Sequence, residues 1–176
     1  DVDTFIIDKN KINKKNLKYK NKVNINFIGG YTLNENYQFL EYFLKKIKIN
    51  SNIEDNIWGP AFTQLSHNNI KTPKEKSISI IVNSWRDFIS TNNITQSIIK
   101  SEEILEIYEK FILKTQKKNI FIIITDFDLP SMNIRHGKNC NLHDEIRLVN
   151  LELKKLSNKF DNTKFLNLFE MTNKVV

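Results

Sequence analysis

Side chains able to do chemistry gather in four short segments. Gly29-Gly30-Tyr31-Thr32 offers a phenol and a hydroxyl behind a glycine pair, and Gly59 sits in a Trp58-Gly59-Pro60 turn. Asn83-Ser84-Trp85-Arg86-Asp87 sets a serine three residues before an aspartate. Asp126-Phe127-Asp128 sets two carboxylates one residue apart, with Ser131 close behind. Acyl transfer needs a hydroxyl or thiol with a base beside it and donors for the oxyanion. The hydroxyls available are Tyr31, Thr32, Ser84 and Ser131. Two acids at the end of a strand are what metal-assisted phosphoryl transfer uses. Here Leu129-Pro130 follows where a small residue and a Thr or Val are usual, so a polar turn after a buried strand is the favoured reading. A phosphate cradle would need GxGxxG or a lysine-bearing glycine loop, and the first turn has neither.

The three histidines are weaker signals. His67 falls in a polar linker, His136 in a glycine-containing loop, and His143-Asp144 opens a helix that Asn141 can cap. The run from His136 to Asp144 holds His, Cys and Asp at spacings that match no standard zinc pattern. No metal or cofactor is therefore expected. Pairing of Ser84 or Ser131 with His136 stays open. Trp58, Trp85 and Phe62 read as core or rim packing rather than a ligand platform.

The elements that must position these segments follow from apolar spacing. Strands are predicted at Val23–Ile28, Ser51–Trp58, Ser77–Val82, Asn119–Thr125 and Thr163–Leu168. Helices are predicted at Asn36–Lys48, Thr95–Thr115 and His143–Asn158. Phe39, Leu40, Phe43, Leu44 and Ile47 would form the buried face of the first. Ile98, Ile99, Ile104, Leu105, Tyr108, Phe111 and Ile112 would line the second, and Ile146, Val149, Asn150, Leu153 and Leu156 the third. Short apolar strands alternating with helices predict a parallel sheet covered on both faces, a three-layer α/β/α sandwich in the flavodoxin-like order 2-1-3-4-5. The strand C-termini are then the functional edge, and they collect Gly29, Gly30, Tyr31, Thr32, Gly59, Asn83, Ser84, Asp87, Asp126 and Asp128.

Composition bounds the rest. The chain has 176 residues, 40% hydrophobic and 27% charged, which suits one soluble domain. No apolar run reaches the ~18 residues needed to span a bilayer, and no membrane association is expected. The single cysteine, Cys140, excludes an internal disulfide and fits a reducing, cytoplasmic compartment. Net charge is +7, yet arginine occurs only at Arg86, Arg135 and Arg147. Lysine, asparagine and isoleucine are inflated together, as in an AT-rich genome, so nucleic acid binding is not expected. Residues 1–22 read as a basic arm or linker and 23–176 as the α/β domain. The start at Asp1 suggests a piece of a longer protein.

The order of the edge segments resembles the SGNH (GDSL-like) hydrolase superfamily. Phe27-Ile28-Gly29-Gly30-Tyr31 matches its first block, Gly59 its second, and Ser84-Trp85-Arg86-Asp87 its third. The resemblance puts Tyr31 where the nucleophilic serine belongs, Gly30 at its aspartate and Arg86 at the oxyanion-hole asparagine. The Asp-x-x-His block would lie beyond Val176. Within that superfamily the chain looks like the N-terminal SGNH-like domain of FkbH-like proteins, which carry a HAD-type phosphatase-like domain after it (HAD-IIIC). That resemblance rests on Asn26 to Thr32, Trp58-Gly59-Pro60-Ala61-Phe62-Thr63-Gln64-Leu65, Asp128-Leu129-Pro130-Ser131, Leu148 to Leu153 and Phe165-Leu166-Asn167-Leu168. It implies a largely non-catalytic domain that supports the HAD domain or docks an acyl carrier protein during glyceryl transfer. An active esterase or O-acyltransferase with a displaced nucleophile is the alternative.

Overall fold

The computed structural model describes residues 22–29, 34–55, 59–66, 77–90, 97–98, 100–116, 118, 120–129, 135–136, 140–168 and 170. Five strands, β1 (Lys22–Ile28), β2 (Asn50–Asp55), β3 (Ser77–Ile81), β4 (Phe121–Thr125) and β5 (Thr163–Leu166), pair in the order β2-β1-β3-β4-β5. All four pairings are parallel. Four helices connect them: α1 (Asn34–Lys46), α2 (Ala61–Ser66), α3 (Ser101–Gln116) and α4 (Leu142–Ser157). Two short antiparallel ribbons, 89–90 with 97–98 and 135–136 with 140–141, sit in the connections.

Handedness assigns the layers. The β1–β2 crossover steps one way along the sheet and the later three step the other way. Right-handed connections therefore put α1 on one face and α2, α3 and α4 on the opposite face. Contacts of α2 with α3 and of α3 with α4 agree. Register places Ile28, Ile81 and Ile124 side by side on the three-helix face, with Ile122 two residues along. All four are fully buried against Ile104, Tyr108, Ile112, Ile146, Val149 and Leu153. Each such isoleucine stabilises the fold by about 2 kcal/mol relative to exposure, so this side is the main core.

The expected fold class and strand order are found, with local differences. Apolar spacing puts Phe43 and Ile47 on the buried face of the first helix, yet they are 57% and 65% exposed, whereas Tyr42 is 5% exposed. The helix lies with Tyr42 inward, its ring under the Lys46 ammonium and edge-on to Phe43. α3, predicted from Thr95, starts at Ser101, because 97–98 is taken into a ribbon and the Lys100 carbonyl accepts the first helical amides, Glu103 and Ile104. The fifth strand ends at Leu166, since the Leu168 amide turns to Asp126 and not to a neighbouring strand. α2 was not foreseen; six residues are too few to show a helical period. Lys22 opens β1, while 1–21 of the expected basic arm lie outside the described residues. Among the described residues no helix is long and apolar enough to cross a membrane.

The tightest point is Gly29, at the end of β1. Its φ is +81°, and a Cβ there would stand 2.5 Å from the Val82 carbonyl oxygen and 2.6 Å from Ala61 Cβ. Gly59 has φ +142° but open space around it. Gly29→Ala therefore combines a disfavoured backbone with a clash against rigid neighbours, and is expected to cost on the order of 3 kcal/mol. Gly59→Ala is expected to cost only the backbone strain, about 1–2 kcal/mol. Urea unfolding of both variants checks the order; equal losses would contradict the close approach.

Candidate functional site at the C-terminal sheet edge

Gly29, Gly59, Asn83, Ser84, Asp87, Asp126 and Asp128 lie at or just beyond the C-terminal ends of the strands. Gly30, Tyr31, Thr32, Trp58 and Ser131 lie outside the described residues. The histidine–cysteine run is described only in part, and the side chains of His136 and Cys140 lie outside the description.

The first three segments converge on α2. The Gly29 amide donates to Gln64 Oε1 at 3.2 Å, and Gln64 Nε2 donates to the Gly59 carbonyl at 3.1 Å. One side chain thus holds both glycine turns. The Ala61 amide, at the start of α2, donates to Asp87 Oδ2 at 3.2 Å. Asp87 lies in a 3-10 turn, Trp85–Phe88, whose Asp87 amide donates to the Ser84 carbonyl at 2.9 Å. Ser84 Oγ accepts from the Arg86 amide at 3.4 Å, and no described histidine stands against it.

Asp87 is the most perturbed carboxyl of the edge. It is 3% exposed, and its Oδ1 is buried with no hydrogen-bond partner. Burial pushes its pKa up to about 7, against the amides of Ser84 and Ala61, and the neighbouring Asp128 pushes the same way. Close to neutrality the group is divided between acid and carboxylate. The phenol of the fully buried Tyr108 is raised well above its ordinary value, first by burial and then by Asp87. It stays protonated and donates to Asn83 Oδ1.

Asn83 is engaged through its backbone amide, its Nδ2 and its Oδ1. Its amide donates to Thr125 Oγ1 at 3.0 Å and its Nδ2 to the Thr125 carbonyl at 2.6 Å. The side chain clamps the end of β3 to the end of β4. Arg86, which the family resemblance set at the oxyanion-hole asparagine, lies over the Trp85 ring with its guanidinium carbon 5.3 Å from the centroid.

Asp126 and Asp128 behave as turn residues. Asp126 Oδ1 accepts from the Leu168 amide at 2.9 Å, and Asp128 Oδ1 accepts from the Trp85 amide at 2.8 Å. Between them Phe127 is buried edge-on to Phe88. Asn150 of α4 takes both backbone groups of Phe127, accepting from its amide at 2.8 Å and donating to its carbonyl at 3.0 Å. The polar turn favoured from the sequence is what the chain forms. Among the described residues no group of three or more His, Cys, Asp or Glu is placed to hold a metal ion.

Four side chains central to this edge lie outside the segments that the sequence singles out for chemistry: Gln64, Tyr108, Thr125 and Asn150. Two carried a signal. Tyr108 and Asn150 stood on otherwise apolar helix stripes, and a buried polar group must find a partner. Gln64 and Thr125 carried none, because each acts on backbone brought near only by the fold.

No family model matches the sequence, and no curated protein matches it. Solved structures do. The N-terminal part of the protein BF1531 from Bacteroides fragilis, containing a phosphatase domain complexed with Mg, aligns over 96% of this chain with a TM-score of 0.66 and 11% identity. This chain spans 46% of that one, less than half its length. A structure described as a "putative platelet activating factor from Streptococcus pneumonia" aligns over 93% of this chain and 74% of its own, with a TM-score of 0.55 and 15% identity. At such identities the likeness is one of fold: a five-stranded parallel α/β domain of the SGNH-like type.

Proposed function

We propose that this is the non-catalytic SGNH-like domain of an FkbH-like protein. It supports a HAD-type phosphatase-like domain and that domain's glyceryl or acyl transfer to a carrier protein. One observation carries the reading: the described carboxylates at the sheet edge each hold a backbone amide. Asp87 holds Ala61, Asp126 holds Leu168 and Asp128 holds Trp85. Each of these carboxylates has at least one oxygen committed to the scaffold. The likeness to a longer Bacteroides fragilis protein with a phosphatase domain supports the same reading. A net charge of +7 suits an acidic carrier, where complementary charge speeds encounter.

Activity-based labelling tests the claim. The purified chain is expected to leave a fluorophosphonate unreacted and to hydrolyse p-nitrophenyl acetate no faster than buffer. Labelling that Ser84→Ala or Ser131→Ala abolishes would establish a displaced nucleophile, and with it an esterase or acyltransferase.

The brace role of Asp87 has its own signature. Its folded pKa stands above the ordinary 3.8, at about 7, so the folded chain holds this proton more tightly than the unfolded chain. Its contribution to stability is complete below about pH 4 and is lost as pH rises through 7. A shift of this size corresponds to about 4 kcal/mol at most. Urea midpoints at pH 5 and pH 8 should diverge in the parent chain and converge in Asp87→Asn. An undiminished difference in the variant would place the titrating group elsewhere.

A further inference from the structure

Among the described residues, the two most exposed large apolar side chains are Phe43 and Ile47, at the end of α1. The Ile47 amide donates to the Phe43 carbonyl at 3.2 Å, so the helical spiral continues through Ile47. Four residues apart, the two side chains share one side of that turn. Leu40 and Leu44, both half-buried, extend the row. Apolar residues at this alternation of three and four form the seam that a second helix fills.

Lysines border the row. Lys46 and Lys48 are exposed and Lys45 is half-buried. Lys22 is exposed at the start of β1, in register with Asn50, two residues past Lys48. Glu41, 3.9 Å from Lys45, is the one acid between Leu40 and Ile53. Lys48 also holds an unusual backbone position. The Ile49 amide donates to the Leu44 carbonyl at 2.8 Å and the Lys48 amide to the Lys45 carbonyl at 3.1 Å, the paired bonds that close a helix through a left-handed residue. That residue is Lys48, with φ +63°. Glycine is the usual occupant, because it has no Cβ to strain there. A cation at a helix C-terminus complements the dipole, but Lys45 and Lys46 already do so in the last turn. Lysine at position 48 therefore adds charge to this surface at a backbone cost that glycine would spare.

We propose that the C-terminal turn of α1 is a docking surface for an acidic amphipathic helix of another protein. The partner's apolar side seats on Phe43 and Ile47, and its carboxylates meet Lys22, Lys46 and Lys48. Charge complementarity selects this partner. A second copy of the chain would bring the same lysines together across a two-fold contact. Nucleic acid is bound best through arginine, and Arg86, Arg135 and Arg147 all lie elsewhere in the chain. Lipid binding scales with the apolar area inserted, and two exposed side chains offer little. α1 ends at the N-terminal end of β2, away from the strand C-termini, so the inference does not rest on the role proposed for that edge.

Fluorescence anisotropy tests this with a labelled peptide that carries leucine at helical spacing and glutamate between, titrated with the full chain at near-physiological salt. The peptide is expected to bind, and a shuffled peptide of the same composition to bind about tenfold more weakly. Lys48→Glu and Ile47→Ser should each weaken binding by about tenfold. Lys154→Glu, on α4, should leave it unchanged. Lys48→Gly separates charge from folding: it should weaken binding about threefold while raising Tm by about 3 °C. No binding, equal binding of the shuffled peptide, or binding that neither Lys48→Glu nor Ile47→Ser reduces would overturn the proposal. So would tighter binding of single-stranded DNA, or of vesicles of phosphatidylcholine and phosphatidylglycerol. A dimer of the unliganded chain that Ile47→Ser abolishes in sedimentation would overturn it too, since a second copy would then be the occupant.

Discussion

The arrangement of the edge depends on how closely three pieces of backbone meet at Gly29. The end of β1, the Val82 carbonyl after β3 and the start of α2 approach within the space a single methyl would fill. Only glycine permits both that contact and the positive φ that turns the chain away. Once these pieces touch, Gln64 can reach the Gly29 amide and the Gly59 carbonyl, and Asp87 can reach the first amide of α2. A six-residue helix has too few hydrogen bonds to hold itself, so its order comes from these tertiary contacts. Without the close approach, neither glycine turn nor the aspartate would have its partner.

Fixing the edge in this way has an electrostatic consequence. A carboxylate in a dry site is costly unless its oxygens are satisfied, and Asp87 has one satisfied and one not. Asp128 stands near enough to make the charged form worse still. The outcome is an acid whose proton is retained toward neutrality, a property that elsewhere marks a proton-transfer site. Here its observed partner is the Ala61 amide, not a hydroxyl or an imidazole. Perturbed acidity alone therefore does not identify a catalyst; the atoms facing the group decide.

Most of the architecture was legible in the sequence because it rests on local rules. Buried parallel strands such as Phe121–Thr125 show as apolar runs, and α4 shows its period through Ile146, Val149, Leu153 and Leu156. Right-handed crossovers then leave little freedom in strand order. The failures occurred where tertiary context overrides pattern. The stripe of Phe43 and Ile47 has the correct spacing for a buried face, yet Tyr42 is the residue turned inward. The site was legible as a place and not as a set of bonds. Gly29, Gly59, Asn83, Ser84, Asp87, Asp126 and Asp128 were expected at one edge. That Asn83 would clamp Thr125, or that Gln64 would join two turns, depends on distances between strands that no spacing along the chain encodes.

The three-helix face shows how this edge is anchored. On the three-helix side, Tyr108 and Asn150 reach from α3 and α4 to the turns after β3 and β4. The turns are therefore anchored from the core outward, by groups that would be costly to leave unpaired. In an enzyme of this architecture the same turns must present a nucleophile, an oxyanion donor and an acid toward solvent. Here Asn83, Asp87 and Asp126 are buried and bonded to amides and carbonyls, and the exposed Asp128 accepts from the Trp85 amide. Each of these bonds adds to the scaffold. An edge built this way gains rigidity from residue types that elsewhere serve chemistry.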